Sequence, residues 1–293
     1  MSGKPFFLMT DPRHFGVFYE INPWMQPQTW GHDPAGLRAA AASASGALRL
    51  AIEMMGGMVE LLAPVEGIPD LVFPANGAVV LNGKVLLARF RHPERQREEP
   101  VLRSAFLALK ARGVVDEVLT LPPAVLQEGA GDCIWDNHRG FFWAGFGQRS
   151  TPDSPNVIEA VFGERVVGLE LASQRFYHLD TCFCPLTGGE VLYYPPAFTP
   201  AALARIHAHV APADRIEAGA EEAGAFCVNA VNIGRQIVMA KAPETLRRKL
   251  SVLSYQLREV DLAPFILAGG GAYCMTLRLD RRNRTHAAMR AAE

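Results

Sequence analysis

The sequence predicts an α/β fold in which five strand–hairpin–helix units are arranged radially about one axis. Two observations support this prediction. Pairs of short apolar segments joined by turn residues recur along the chain, and segments with helical periodicity fill the gaps between the pairs. An ordinary doubly wound sheet is the structural alternative, but it offers no reason for a hairpin to follow each polar strand end. We therefore favour the radial arrangement, in which the inner strands converge.

The clearest hairpin lies around Asn82-Gly83, which separates the apolar runs 76–81 and 84–90. Asn-Gly is typical of tight hairpin turns because both residues tolerate positive φ angles. Three similar pairs follow: 132–145 with a turn at 137–140, 180–194 with a turn at 187–190, and 230–240 with a turn at 233–235. We expect the fifth hairpin to begin near Ala272-Tyr273-Cys274.

One polar residue opens each unit. These residues are Asn76, Asp132, Asp180, Asn232 and Cys274, at intervals of 56, 48, 52 and 42 residues. In a radial arrangement equivalent strand ends meet in a central cavity, so these five residues can share one site.

Helical patterns occupy the gaps between the hairpins. The segment from Glu98 to Arg112 opens with Pro100 in its first turn and places apolar residues at helical spacing. Thr199-Pro200 is a typical helix start, with a capping residue followed by proline at the first helical position. The predicted helices are 35–55, 98–112, 155–162, 199–210 and 243–260.

Composition describes a soluble globular protein. The chain has 293 residues, 49% of them apolar and 20% charged, with a formal net charge of −1, and we treat residues 1–293 as a single catalytic domain. This balance gives no reason to expect nucleic acid as a partner. No apolar run approaches the ~18 residues that span a bilayer, and no secretory signal is expected at the N-terminus. Five cysteines without a disulfide-like spacing favour a reducing cytoplasm.

Cys182 and Cys184 raise the question of a metal site beside His178. Zinc sites usually combine cysteines two to four residues apart with a second such pair, and no second cluster is present in this sequence. Core packing is the better interpretation, so neither a metal nor another cofactor is expected.

Four segments carry the chemistry. They are 73–77 with Asn76, 128–132 with Glu128 and Asp132, 178–181 with His178 and Asp180, and 269–275 with Cys274. A lone cysteine is usually a small buried hydrophobe. Together, however, these segments supply a thiol, an imidazole and several carboxylates, which are the parts of a cysteine hydrolase for a cationic substrate.

The combination resembles the guanidino-group-modifying enzymes: arginine deiminases, dimethylarginine dimethylaminohydrolases, amidinotransferases and arginine dihydrolases. The motifs that carry the resemblance run from 9–15 and 21–25 to Cys274, and 128–132 is similar to the family's Glu-Gly-Gly-Asp. The resemblance implies the fold of that family, a five-bladed, pseudo-symmetric α/β propeller called the pentein. It also implies that the partner is a small guanidino compound, while homo-oligomerisation stays open.

The resemblance implies a role for each of these residues. Cys274 matches the nucleophile and His178 the general acid/base, which protonates the departing amine and then activates water. Glu128 completes the catalytic set by binding guanidinium nitrogens, and Asp180 binds them from the same strand as His178. The implied mechanism passes through a covalent thiouronium intermediate, which water hydrolyses.

Arginine residues supply the expected contacts for a substrate carboxylate. Arg149 lies where relatives place an arginine for the α-carboxylate, and Arg91 or Arg89 would assist, although Arg89 fits a solvated strand end equally well. Asp132 either binds substrate or caps the strand through local backbone hydrogen bonds, and the sequence favours neither role over the other.

The residue at position 76 distinguishes members of the family. Arginine deiminases and dimethylargininases carry an aspartate where this chain has Asn76, and an asparagine can hydrogen-bond a neutral ureido group. Asn76 together with Asn22 resembles the arginine dihydrolases, which release ornithine, ammonia and carbon dioxide. Hydrolysis of arginine or of a methylated arginine is therefore predicted. Amidino transfer to a second amine and a non-catalytic binding pentein remain the alternatives.

Overall fold

Five three-stranded sheets form the framework of this protein, seen in a computed structural model that describes residues 4–283. Four sheets share one topology, in which an antiparallel hairpin is followed by a third strand that pairs in parallel with the second strand of the hairpin. The strands are β1 (Phe6–Thr10), β2 (Met58–Leu62), β3 (Ala78–Leu81), β4 (Lys84–Leu87), β5 (Glu117–Leu119), β6 (Cys133–Asp136), β7 (Phe141–Phe146), β8 (Val166–Glu170), β9 (Phe183–Pro185), β10 (Val191–Tyr193), β11 (Arg215–Glu217), β12 (Val231–Ile233), β13 (Gln236–Ala240), β14 (Gln256–Val260) and β15 (Leu277–Arg278).

In each sheet, helices fill the crossover between the two parallel strands. The helices are α1 (Pro27–His32), α2 (Pro34–Met54), α3 (Pro93–Gln96), α4 (Glu98–Ala111), α5 (Ser154–Phe162), α6 (Pro200–His209), α7 (Ala220–Gly224), α8 (Glu244–Val252) and α9 (Ala263–Ile266). The helix predicted over 243–260 is too long, because the chain turns at Ser254, whose φ is 62°, and continues as β14. The other four predicted helices are present, with each bound within one residue of the prediction.

The sheets form a closed ring. The buried apolar side chains fall into five clusters, and each cluster combines residues of two sheets. These pairs are β15-β1-β2 with β3–β5, β3–β5 with β6–β8, β6–β8 with β9–β11, β9–β11 with β12–β14, and β12–β14 with β15-β1-β2. Each sheet therefore packs against two neighbours, and the predicted radial arrangement of five units is confirmed.

The fifth unit differs from the prediction. Within residues 4–283 no hairpin begins near Cys274; instead β15 pairs antiparallel with β1, Leu277 opposite Leu8, so the two ends of the described chain share one sheet. This pairing closes the ring, because β1 also pairs in parallel with β2. Residues 272–275, expected as a strand, form turns.

Short 3₁₀ turns precede several inner strands and place polar residues around the axis. They cover Pro74–Gly77, Gly129–Gly131 and Leu179–Thr181. Gly129 has a φ of +65°, and a Cβ there would collide with the backbone of Asn76. A Cβ on Gly131 would collide with the Asn76 side chain and approach His178, so glycine lets these three units meet.

In the fourth unit the polar residue nearest the axis is Asn229, not the predicted Asn232. Asn232 lies within β12, and its side chain accepts a hydrogen bond from the backbone N–H of Thr187 near the hairpin turns. With Asn229 in place of Asn232, the intervals become 56, 48, 49 and 45 residues. Among the helices of residues 4–283, none is long and apolar enough to cross a membrane.

Candidate active site

Cys274 lies in the turn between the Gly269–Gly271 run and β15. Its side chain is buried, and its Sγ donates a hydrogen bond to Oδ2 of Asp180 at 3.0 Å. Its carbonyl accepts a hydrogen bond from the backbone N–H of Ala75, which ties the thiol to the first unit. Burial, followed by the charge of Asp180 and the hydrogen bond to it, raises the pKa of the Cys274 thiol well above its usual value.

Asn229 holds this thiol from the other side, and sequence analysis missed it. Its Nδ2 donates to Sγ of Cys274 and to the carbonyl of Asp180, both at 3.1 Å. Its Oδ1 accepts from the backbone N–H groups of Tyr273 and Cys274 at 2.9 and 3.2 Å. One fully buried amide therefore fixes both the thiol and the backbone that carries it. The spacing of the polar residues was the available signal, but it was assigned to Asn232.

His178 lies between Asn76 and Glu128. Asn76 Nδ2 is 3.4 Å from His178 Nδ1, and Glu128 Oε2 is 2.7 Å from His178 Nε2. Because the amide nitrogen of Asn76 can only donate, Nδ1 is the acceptor, and the ring proton on Nε2 is donated to Glu128. Asn76 Oδ1 accepts from Arg95 at 2.9 Å, which orients the amide. The imidazole is thus held in one tautomer.

Glu128 is enclosed by donors. Its Oε2 pairs with Arg149 Nη1 at 3.0 Å as well as with His178, and its Oε1 accepts from the backbone N–H of Arg91 at 2.9 Å. Burial alone would raise the pKa of Glu128. The adjacent Arg149 guanidinium and the hydrogen bond from His178 outweigh burial and hold this pKa well below its usual range. Glu128 is therefore an anion at any physiological pH.

Asp180 differs from Glu128 in its hydrogen-bond partners and in the direction of its pKa shift. Its Oδ2 accepts from Cys274, whereas its buried Oδ1 has no hydrogen-bond partner among the described residues. Burial raises the pKa of Asp180 to about 7, against the opposing effect of its hydrogen bonds with Cys274 and Asn229. Asp180 and Cys274 therefore share a proton, and a cation placed beside them would lower the pKa of both groups.

A cavity of about 250 Å³, here called the front cavity, opens onto Cys274. Of the predicted site residues, Asn22, Asn76, Arg149 and Cys274 line it, while Glu128, His178 and Asp180 lie behind the lining. Asn22 donates to the carbonyl of Ala268 at 3.1 Å and so holds the loop that leads to the glycine run.

The front cavity also contains charged residues that sequence analysis did not select. Arg95 is fully buried and forms an ion pair with Glu98 at 2.7 Å. Asp70 accepts a hydrogen bond from the Tyr19 hydroxyl through Oδ2, but its buried Oδ1 has no partner in the described part of the chain. Asp70 and Arg95 line the cavity. No motif marks them, because the Asp70 segment and the start of α3 look like ordinary loop sequence.

Asp132, Arg91 and Arg89 do not line the front cavity. Asp132 accepts from the backbone N–H of Leu179 at 3.0 Å and from the Ser150 hydroxyl at 2.6 Å, so it positions the strand end beside His178. Burial raises its pKa to about 6. Arg91 reaches the carbonyl of Arg149 at 3.0 Å, and Arg89 donates to loop carbonyls, including that of Leu121 at 3.1 Å.

Three of the other four thiols donate hydrogen bonds to backbone carbonyls, and within residues 4–283 none of the four has an arrangement suited to metal. Cys182 and Cys184 point at different backbone carbonyls, those of Leu179 and Ala230. Over residues 4–283, no group of three or more His, Cys, Asp or Glu side chains is placed to hold a metal ion.

Comparison with known proteins identified several relatives, although no family model matched the chain. The bifunctional arginine dihydrolase/ornithine cyclodeaminase ArgZ of Synechocystis is 41% identical over 272 residues, covering 93% of this chain and 37% of that protein. A dimethylarginine dimethylaminohydrolase of Mycobacterium tuberculosis is 34% identical, covering 93% of this chain and 85% of its own length. This chain therefore spans about two fifths of the length of the bifunctional relatives it matches.

Solved structures agree with these relationships. The N-terminal domain of ArgZ superposes with a TM-score of 0.87 at 38% identity, covering 95% of this chain and 99% of that domain, in a cysteine-to-serine variant bound to substrate. An asparagine-to-serine variant of the same domain is covalently bonded to a reaction intermediate, with the same TM-score and identity. Both matches extend over nearly all of this chain, so the pentein fold is shared.

Replacing Asn229 tests its role in positioning the thiol. Asn229→Asp removes the N–H donor to Sγ and adds negative charge, so the pKa of Cys274 should rise further. We expect the iodoacetamide alkylation rate of Cys274 at pH 8 to fall roughly tenfold, one pKa unit, with the rate profile displaced to higher pH. Peptide mass spectrometry measures this rate. Asn156→Asp, on the exposed surface of α5, is the charge-matched control. An unshifted profile would mean that Asn229 only supports the backbone.

Proposed function

This chain belongs to the pentein superfamily of guanidino-group-modifying enzymes, in the group of arginine dihydrolases and dimethylarginine dimethylaminohydrolases, and we propose that it hydrolyses free arginine through Cys274. The observation that carries the proposal is the Cys274–Asp180 pair beside the front cavity. A buried thiol and carboxyl that share a proton become an active thiolate and a carboxylate when a cation binds next to them. A guanidinium is such a cation, and the unpartnered Oδ1 of Asp180 suits one of its N–H donors.

Arginine has charges at both ends, and the front cavity has complementary groups. The free oxygen of Asp70 suits the α-ammonium, and Arg149 suits the α-carboxylate. In the structure, Arg149 holds Glu128, which we assign to the substrate guanidinium. When substrate binds, its guanidinium replaces that of Arg149 beside Glu128. Arg149 is then free to pair with the substrate carboxylate. The exchange leaves no buried charge unpaired.

The chemistry follows from these positions. The proton shared by Cys274 and Asp180 passes to Nδ1 of His178 as the thiolate of Cys274 attacks the central guanidinium carbon, and the departing nitrogen then takes that proton from His178 and leaves as ammonia. The product is a covalent thiouronium. His178 then removes a proton from water, the resulting hydroxide attacks the same carbon, and the C–S bond breaks to restore the thiolate. Glu128 keeps the imidazole oriented through both steps.

We further propose that the ureido product is cleaved in a second round. Asn76 is neutral, and its amide is oriented by Arg95, so it can hydrogen-bond a neutral ureido group without the repulsion a carboxylate would cause. Arginine and two waters then give ornithine, two ammonia and carbon dioxide. An asparagine-to-serine variant of ArgZ is bonded to a reaction intermediate, which supports an asparagine role in turnover within this group. The domain that performs this reaction is 1–293.

Product analysis tests the proposal. Purified protein should convert arginine into ornithine and ammonia, as measured by mass spectrometry, and Cys274→Ser should lower the rate by roughly 10³-fold or more because serine is a far weaker nucleophile. Cys184→Ser, at a thiol outside the front cavity, is the matched control.

Other products would redirect the assignment. Citrulline and dimethylamine from asymmetric dimethylarginine, with arginine untouched, would make the protein a dimethylargininase. A guanidino product that forms only when a second amine is added would make it an amidinotransferase. No turnover of either substrate, with Cys274 unreactive, would favour a binding protein.

Asn76→Asp tests the second round of cleavage. A carboxylate at this position should hold the cationic guanidinium well but not the neutral ureido group, so the product should shift from ornithine toward citrulline. We expect the ratio of citrulline to ornithine to rise roughly tenfold or more, equivalent to one charge-assisted hydrogen bond. Asn156→Asp, on the exposed surface of α5, is the control for a new carboxylate outside the cavity. A ratio that stays at the wild-type value would remove Asn76 from this role.

Arg149→Gln tests the carboxylate contact. With arginine, KM should rise roughly 10- to 100-fold, the loss expected for an ion-paired hydrogen bond. With agmatine, which lacks the α-carboxylate, the same substitution should change KM much less. Steady-state kinetics on both substrates separate the two roles. Equal losses on both would mean that Arg149 acts only as the counterion of Glu128.

A further inference from the structure

A second cavity, here called the rear cavity, lies at the opposite end of the axis from the front cavity. Its volume is about 450 Å³, and it shares no lining residue with the front cavity. Its outer end is formed at the hairpin turns by Asn137, Thr187 and Asn232, whereas the active-site residues precede the same inner strands. Asp180 lies at its inner end. The ring therefore has a pocket on each side of the catalytic carboxylate.

Arg281 contributes a cation to the rear cavity and to an adjoining cavity of about 290 Å³. Its carbonyl accepts a hydrogen bond from the backbone N–H of Asn82 at 2.9 Å, which fixes the chain at this point. Among residues 4–283, its guanidinium has no ion-pair or hydrogen-bond partner. The adjacent Asp280 is taken by Arg278, with two hydrogen bonds of 2.8 and 3.0 Å.

Within residues 4–283, three other guanidinium groups whose side chains are at most 10% exposed each have a carboxylate partner. Arg95 pairs with Glu98, Arg149 with Glu128, and Arg139 with Asp136, at 2.7 to 3.0 Å. Arg281 departs from this pattern. Burial, reinforced by the nearby charge of Arg278, lowers the pKa of Arg281 to about 10. An anion in the rear cavity would supply the missing partner.

A second donor in the same cavity also lacks a partner. Trp135 is 5% exposed and lines both the rear cavity and the adjoining one, and its buried Nε1 has no hydrogen-bond acceptor in the described structure. A buried indole N–H without an acceptor is unfavourable, because its hydrogen bond to water is lost and not replaced. The two unpartnered donors are independent observations, and both favour an acceptor with negative charge.

We propose that the rear cavity binds the carboxylate group of a small organic acid through Arg281 and Trp135. One guanidinium matches one negative charge, and Asp180 at the inner end disfavours a dianion such as phosphate. Phe183, Leu186 and Val228 line the remaining wall and suit a short apolar body. The site does not depend on the function proposed above, because it uses none of the front-cavity residues.

Calorimetric titration with butyrate tests the site in the full chain, with butyramide as the neutral isostere and inorganic phosphate as the competing anion. We expect millimolar binding of butyrate, as is usual for so small a ligand, and no binding of butyramide. Arg281→Gln should raise the Kd roughly tenfold or more, while Arg281→Lys should restore part of the affinity by restoring the charge. Arg149→Gln, the matched substitution in the front cavity, should leave the Kd unchanged.

Each alternative result overturns the proposal. Equal Kd values for wild type and Arg281→Gln would show that the arginine takes no part. Loss of binding in Arg149→Gln alone would place the carboxylate in the front cavity. Phosphate binding tighter than butyrate would reject the carboxylate assignment, and no saturable binding of butyrate would remove the site altogether. Thermal unfolding of each variant shows whether it is folded. If Arg281→Gln does not fold, the Kd of Arg281→Lys is compared with that of the wild type instead.

Discussion

The burial of several carboxylates around one axis is the constraint on which the site depends. Glu128, Asp70 and Asp180 are each at most 2% exposed, and a buried carboxylate stays ionised only beside a cation or several donors. Glu128 has Arg149 and His178, so it remains charged. Asp180 has no cation within ion-pair distance in the described chain, so its pKa rises and it shares a proton with Cys274. Glu128 and Asp180 therefore differ in charge because their neighbours differ, and not because one is a glutamate and the other an aspartate.

The ring of sheets makes this arrangement possible. Cys274 directly precedes β15, and β15 lies in its sheet only because it pairs with β1 at the other end of the described chain. The thiol therefore reaches the axis only when the ring is closed. The hydrophobic clusters between neighbouring sheets then hold the polar strand ends together, and Asn229, from the fourth unit, links the backbone of Cys274 to Asp180 of the third. Packing between units thus sets the distances inside the site.

The sequence predicted the elements well because hairpin turns and helical periodicity are local. Asn82 and Gly83 both adopt positive φ, 55° and 79°, as the Asn-Gly turn requires. Prediction from the sequence failed where the role of a residue depends on neighbours that are distant along the chain. The fifth unit was expected as a hairpin because local sequence cannot reveal pairing between Leu8 and Leu277. Asn232 was assigned to the axis and Asn229 was missed, because both are asparagines near the start of one strand and only the pairing of β12 distinguishes them.

Asp70 and Arg95 were missed for the same reason. Their positions beside the front cavity follow from a buried cluster with Glu98 and Tyr19, whose members come from three segments without a common motif. The protonation states of the site residues are even harder to predict from the sequence. The pairs His178–Glu128 and Cys274–Asp180 contain residue types that suggested a cysteine hydrolase, but their protons are distributed by burial and by third neighbours.

The position of Arg149 connects charge balance with substrate choice. Its guanidinium lies against Glu128, the carboxylate we assign to the guanidinium of the substrate, and it stacks 4.5 Å from the centre of the Tyr177 ring. A neutral or anionic molecule that displaced Arg149 would leave Glu128 buried without its counterion, at a cost of several kcal/mol. A substrate with its own guanidinium avoids that cost, and a carboxylate at its other end gives the displaced Arg149 a new partner. The charge of Glu128 therefore selects a cation, and Arg149 favours a cation that carries a carboxylate.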